Sequence, residues 1–127
     1  MNRILLVEPD QYLAEVYSSA LQHNGHIVSV ARTVSQSVNL LDAEQFDLMI
    51  LELKIAQHNG IELLYEMRSY VDWNKIRIII HSSVPEQKMM TSKTMAQLDV
   101  DKYLFKPRTT LSELCNSVEQ IMSRQYS

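Results

Sequence analysis

Two kinds of hydrophobic pattern alternate along the chain: short unbroken apolar runs, and longer stretches with apolar residues every three or four positions. Residues 4–7 (Ile-Leu-Leu-Val) are a run of the first kind and predict a buried strand. Leu13, Val16, Tyr17, Ala20 and Leu21 recur at helical spacing, and Asn24-Gly25 marks that helix's end. Residues 26–31 predict a second strand through Ile27, Val28 and Val30. Thr33 and Gln36 have the spacing of a capping box and open a second helix with Val34, Val38 and Leu41 on its apolar face.

Residues 47–53 predict a third strand, apolar at Leu48, Met49, Ile50 and Leu51. An unbroken run of this kind suits a parallel strand covered on both faces. Asn59 and Glu62 form a second capping box around Gly60, followed by Ile61, Leu64, Tyr65 and Val71 on one face. Residues 76–80 are the most β-branched stretch and predict a central strand. Pro85 suits the first turn of a fourth helix carrying Met89, Met90, Met95 and Leu98, with the methionines as core and rim. Residues 103–105 are a short fifth strand. Thr110 with Glu113 caps a last helix whose face is Leu111, Leu114, Cys115, Val118, Ile121 and Met122.

Strict alternation of strand and helix with short connections implies a parallel sheet covered on both sides. With right-handed crossovers, the predicted fold is a doubly wound, flavodoxin-like (βα)5 unit with strand order 2-1-3-4-5. Its active edge lies at the carboxyl ends of the strands. We expect one domain over residues 1–127, with a core from about 3 to 124 and no attached output domain.

Composition narrows the function. No stretch approaches the roughly 20 apolar residues that span a bilayer, and the N-terminus lacks a signal-peptide pattern. The expected location is cytoplasmic, without membrane contact. The single cysteine, Cys115, excludes an internal disulfide and a cysteine-clustered zinc site, and reads as a small core residue. A net charge of −3 gives no electrostatic reason to expect direct nucleic-acid binding. The only glycines are Gly25 and Gly60, so no glycine-rich phosphate loop can be written, which counts against a nucleotide or flavin enzyme.

The polar residues at the predicted strand ends are Glu8-Pro9-Asp10, Glu52, His81-Ser82-Ser83 and Lys106-Pro107. Carboxylates, a hydroxyl and an ammonium at one edge suit a divalent cation and a phosphoryl group. His81 has no second His or Cys at ligand spacing and reads as packing.

In this order, residues 4–8, 46–53, 59–64, 78–83 and 103–107 resemble a bacterial response-regulator receiver domain of two-component phosphorelay signalling. The resemblance implies roles residue by residue. Lys106 matches the lysine that pairs with the phosphoryl group, Ser82 the switch hydroxyl and Tyr103 the aromatic that rotates inward on activation. Glu8 matches the first of two metal-binding acids, and Lys54 supplies the backbone carbonyl ligand two residues after the acceptor. Lys106-Pro107 matches a step that is usually cis in the family. Two positions depart from the pattern. Pro9 replaces the second acid, and the phosphoacceptor is Glu52 rather than Asp. Asp10, one residue late, either swings toward the metal or caps the first helix. Asp47 lies at the wrong end of its strand to accept a phosphoryl group.

Glu52 and Lys106 therefore admit two readings, an ion pair closing the strand ends or a phosphomimic. The extra methylene of Glu52 carries its charge about 1.5 Å outward, though with a charge of about −1 against up to about −2 for a phosphate. The expected function is a stand-alone atypical receiver, or pseudo-receiver. It would be an interaction module without enzymatic activity, partnered by a histidine kinase or an output protein. The expected contact face, also a candidate homodimer face, is the fourth helix, fifth strand and fifth helix, with Lys88, Lys93, Lys102, Tyr103 and Glu113. No cofactor is expected. Glu8, Asp10, Glu52 and Lys54 would form a weakened or lost Mg²⁺ site. The alternative is a working receiver in which Glu52 is a poor acceptor and Asp10 replaces the missing ligand.

Overall fold

In a computed structural model of the chain, residues 2–56, 58–86 and 91–123 are described. The elements in chain order are β1 (Arg3–Val7), α1 (Gln11–His23), β2 (Ile27–Ala31), α2 (Val34–Ala43), β3 (Leu48–Leu51), β4 (Lys54–Ile55), β5 (His58–Asn59), α3 (Gly60–Ser69), β6 (Arg77–Ser82), α4 (Ser92–Gln97), β7 (Lys102–Phe105) and α5 (Leu111–Ser123). A 3₁₀ turn, Lys106–Arg108, joins β7 to α5. The main sheet has the order β2-β1-β3-β6-β7 and every pairing in it is parallel. Numbered by its five strands alone, that is the expected 2-1-3-4-5.

Period-two alternation along the strands sorts the core into two layers. Leu5, Val7, Met49, Leu51, Ile78 and Ile80 pack with Leu41, Leu63, Leu64 and Met67 from α2 and α3. Ile4, Leu6, Leu48, Ile50 and Ile79 pack with Leu21 of α1 and Leu114, Val118, Ile121 and Met122 of α5. Every residue of β3 is buried, as its unbroken apolar run requires. At the sheet edge, β2 leaves Ile27 and Val30 exposed.

Several local expectations need correction. Asp47 is not in β3. Its carboxylate instead accepts the Arg3 N–H at 2.8 Å, tying the start of β1 to the loop. Val71 and Tyr65 are not core residues. α3 ends at its C-cap Tyr70, so Val71 lies beyond it and is 84% exposed, while Tyr65 points outward. The small antiparallel β4–β5 hairpin was not anticipated; two residue pairs carry no readable period.

Capping varies from helix to helix. Thr33 Oγ1 accepts the Gln36 N–H at 3.0 Å, but Gln36 reaches back to Arg32 N–H rather than to Thr33. Asn59 Oδ1 accepts the Ile61 N–H at 2.9 Å. Thr110 and Glu113 form the full reciprocal box. The Lys106–Pro107 bond is not cis; Pro107 sits in the first turn of the 3₁₀ segment, where its missing N–H leaves no bond unmade. Leu98 is buried at the end of α4. The Met89, Met90 and Lys88 expectations lie outside the described residues.

Candidate functional site

Parallel pairing brings four strand ends to one edge. Val7 pairs with Leu51, Leu51 with Ile80, and Ser82 with Phe105. Each next or terminal residue, namely Glu8, Glu52, Ser82 and Lys106, therefore reaches the same place. Gly60 closes this edge from α3. A Cβ there would stand 3.0 Å from Leu53 Cα and 3.1 Å from the Glu52 carbonyl oxygen, so any other residue would have to push the helix start and the Glu52 backbone apart by a few tenths of an ångström.

Glu8, Glu52 and Ser82 are almost fully buried, at 2%, 3% and 0% exposure. Glu52 accepts four hydrogen bonds. Its Oε1 takes the Lys106 ammonium at 2.8 Å and the Ser83 N–H at 3.0 Å. Its Oε2 takes the Ser82 hydroxyl and the Lys54 N–H, the latter at 3.1 Å. An ionised carboxylate offers about four acceptor sites, and here all are filled. The Lys106 ammonium also contacts Glu8 Oε1, while Glu8 Oε2 accepts the Asp10 N–H at 3.0 Å.

Burial pushes the Glu52 carboxyl up, but hydrogen bonds from Lys106, Ser82 and Ser83 outweigh it and hold its pKa below the ordinary value. Burial likewise opposes the Lys106 charge, yet Glu52 and Glu8 hold that ammonium above its usual pKa. Glu52 and Lys106 are thus both ionised across the neutral range. Two groups that sequence reading left as mere packing flank it. His81 is 3% exposed and stacks edge-on against Tyr17, ring centroids 4.9 Å apart. Burial and the Lys106 charge lower its pKa to about 4, so it is neutral at pH 7. Tyr17 is raised by burial, with Lys106 opposing and Glu8 adding to the shift.

Asp10 caps α1 by accepting the Leu13 N–H at 2.9 Å. The Lys54 side chain is exposed, and only its backbone enters the site. Tyr103 is half-buried and donates its hydroxyl to the Val84 carbonyl, two residues beyond Ser82. Lys93, Lys102 and Glu113 are exposed, Glu113 being committed to its helix cap. The Ser83 and Lys54 N–H donors and the Val84 acceptor had no signal in the sequence, because they are backbone groups. A cleft of about 660 Å³ lined by Phe46, Trp73, Asp42 and Asp72 lies at the opposite edge of the sheet, away from this chemistry.

The fold and this edge define a two-component receiver. The sequence pattern of the response regulator receiver domain matches residues 4–119, and the chain belongs to that family. The alginate biosynthesis transcriptional regulatory protein AlgB of Pseudomonas aeruginosa is 31% identical over 127 residues, covering 99% of this chain and 27% of that protein. The transcriptional regulatory protein CpxR of Escherichia coli is 29% identical over 126 residues, covering 99% of this chain and 51% of its own length. The chain thus spans about a quarter to a half of these curated relatives. The receiver domain protein (CheY-like) of Methanospirillum hungatei superposes with a TM-score of 0.86 at 21% identity, covering 98% of this chain and 96% of that one. Among the described residues no helix is long and apolar enough to cross a membrane.

Proposed function

We propose that this receiver is a pseudo-receiver: an interaction module of a two-component pathway whose acceptor position is permanently filled by the Glu52 carboxylate and undergoes no phosphorylation cycle. The observation that carries the reading is the saturation of Glu52. All four of its acceptor sites are taken, two of them by the Lys106 ammonium and Ser82 hydroxyl that the family uses on a phosphoryl group. A nucleophile needs a free lone pair, and an acyl phosphate on Glu would place phosphorus one bond farther out than on Asp. Misplacement by about 1 Å costs on the order of a hundredfold when catalysis works by positioning. The Tyr103 hydroxyl is bonded to the Val84 carbonyl in the loop that begins at Ser83, directly after Ser82 at the end of β6, which couples the site to the α4–β7–α5 face. That face is the proposed docking surface for a histidine kinase or output protein, or for a second copy.

Intact-mass analysis after incubation with acetyl phosphate or phosphoramidate and Mg²⁺ tests this. The expected result is an unmodified chain. A hydroxylamine-labile addition mapped to Glu52 would overturn the reading in favour of a working acceptor. Glu52→Asp together with Pro9→Asp is expected to restore labelling, because it returns the acceptor to its shorter reach and supplies the missing acid.

A further inference from the structure

The family pattern places a divalent cation on two adjacent acids, the acceptor carboxylate and a nearby carbonyl, and the residues present here do not fit that ion. Pro9 has no ligand atom. Asp10 spends Oδ1 on the Leu13 N–H. Glu8 Oε2 and Glu52 Oε2 are engaged by backbone and hydroxyl donors. Of the carboxylate oxygens that remain, Asp10 Oδ2 belongs to an exposed side chain committed to its helix cap, while Glu8 Oε1 and Glu52 Oε1, the latter also holding the Ser83 N–H, converge on one atom, the Lys106 ammonium nitrogen. Among the described residues no three His, Cys, Asp or Glu side chains are grouped to hold a metal.

We infer that the Lys106 ammonium is this site's cation, a tethered positive charge seated between Glu8 and Glu52 where the family binds a divalent metal. An ammonium is a compact point charge with three donors, suited to bridging two carboxylates. Mg²⁺ demands near-octahedral oxygen ligation at about 2.0–2.1 Å and gives up water reluctantly. To reach both Oε1 atoms it must displace the ammonium. The Lys106 side chain is 13% exposed, so a displaced ammonium would remain close to the metal, and two cations at short range in a low-dielectric pocket repel strongly. This deepens the pseudo-receiver reading, and rests on it for its consequence: the domain's signalling state is indifferent to Mg²⁺.

Calorimetry with Mg²⁺ and Mn²⁺ on the wild-type chain, Lys106→Met and Pro9→Asp tests the inference. Wild type and Pro9→Asp are expected to bind neither ion at millimolar concentration. Lys106→Met, left with two carboxylates and no cation, is expected to bind Mn²⁺ at least about tenfold more tightly than wild type. If Pro9→Asp alone gains binding to the same extent, the lost acid and not the ammonium keeps metal out, and the inference falls. Should Lys106→Met not fold, the ¹⁵N signal of the Lys106 ammonium in wild type decides. It is expected to stay fixed as Mg²⁺ is added, and a saturable shift would overturn the inference. The two readings fail separately. Phosphate labelling that needs no Mg²⁺ removes the pseudo-receiver alone, whereas Mg²⁺ binding without labelling removes the tethered cation alone.

Discussion

Each edge of the sheet is closed by carboxylates and a cation, and the two closures differ in kind. At the amino edge, Arg77 pairs with Asp101 at 2.8 Å, and Asp101 also accepts the Ile78 N–H at 2.9 Å. The charges there balance one to one, and the side chains are 27% and 15% exposed. At the carboxyl edge two carboxylates share one ammonium, and both acids are only 3% exposed. A partly wet, balanced pair is scaffolding. A dry pair of acids with one cation between them is costly to desolvate, and a chain selected for stability alone would do as well with apolar residues there. The imbalance therefore marks the carboxyl edge as the place where stability is spent on function.

The largest expected effect follows from that imbalance. Lys106→Met leaves Glu8 and Glu52 buried without a cation, and removing one partner of a buried ion pair costs about 3–5 kcal/mol. Urea unfolding at pH 7 measures it. A loss below about 1 kcal/mol, within the range of exposed pairs, would erase the contrast between the edges.

Next in size is a pH effect confined to the carboxyl edge. His81 is held neutral, with its folded-state pKa at about 4 against 6.5 for the free side chain. Between those values the unfolded chain binds the extra proton, so stability is complete above pH 6.5 and falls as the pH drops toward 4. The shift corresponds to about 3 kcal/mol. Glu52, with its pKa held below 4.5, adds a loss on the acid side as pH falls below that value, and Lys106, held above 10.5, adds one on the alkaline side as pH rises past it. Unfolding free energies from pH 7 to 4 are expected to show the His81 slope in wild type and not in His81→Leu. An identical slope in both would mean that the imidazole gains a proton without penalty.

Much of this site could be read in advance, for a geometric reason. In a parallel sheet every strand's carboxyl end lies at the same edge, so finding five strands locates Glu8, Glu52, Ser82 and Lys106 together without any knowledge of packing. What stayed hidden depends on the backbone or on layer assignment. Ser83 and Lys54 complete the coordination of Glu52 through N–H groups that every residue except proline carries. Tyr17 looked like one more apolar position of α1, because helical periodicity gives a face but not which strand-end residue it meets. Val71 was misplaced because α3 stops at Tyr70 without the glycine that ended α1 at Gly25. The usual cis geometry of Lys106-Pro107 came only from resemblance, and the short 3₁₀ turn does not use it.

The smallest expected effect completes the comparison at the amino edge. Arg77→Met removes the guanidinium from Asp101 but leaves the carboxylate its bond from the Ile78 N–H and access to water. Partly exposed pairs are worth about 1 kcal/mol or less, so the expected loss of stability is of that size. Salt separates the two edges more cleanly than magnitude does. At about 0.5 M salt the screening length is only a few ångströms, which weakens wet pairs and hardly touches dry ones. The difference between wild type and Arg77→Met is therefore expected to shrink by at least half between low and high salt, while that between wild type and Lys106→Met stays constant. Equal salt sensitivity at both edges would show that water reaches the Glu8–Lys106–Glu52 cluster freely, and the division into scaffold edge and functional edge would have to be abandoned.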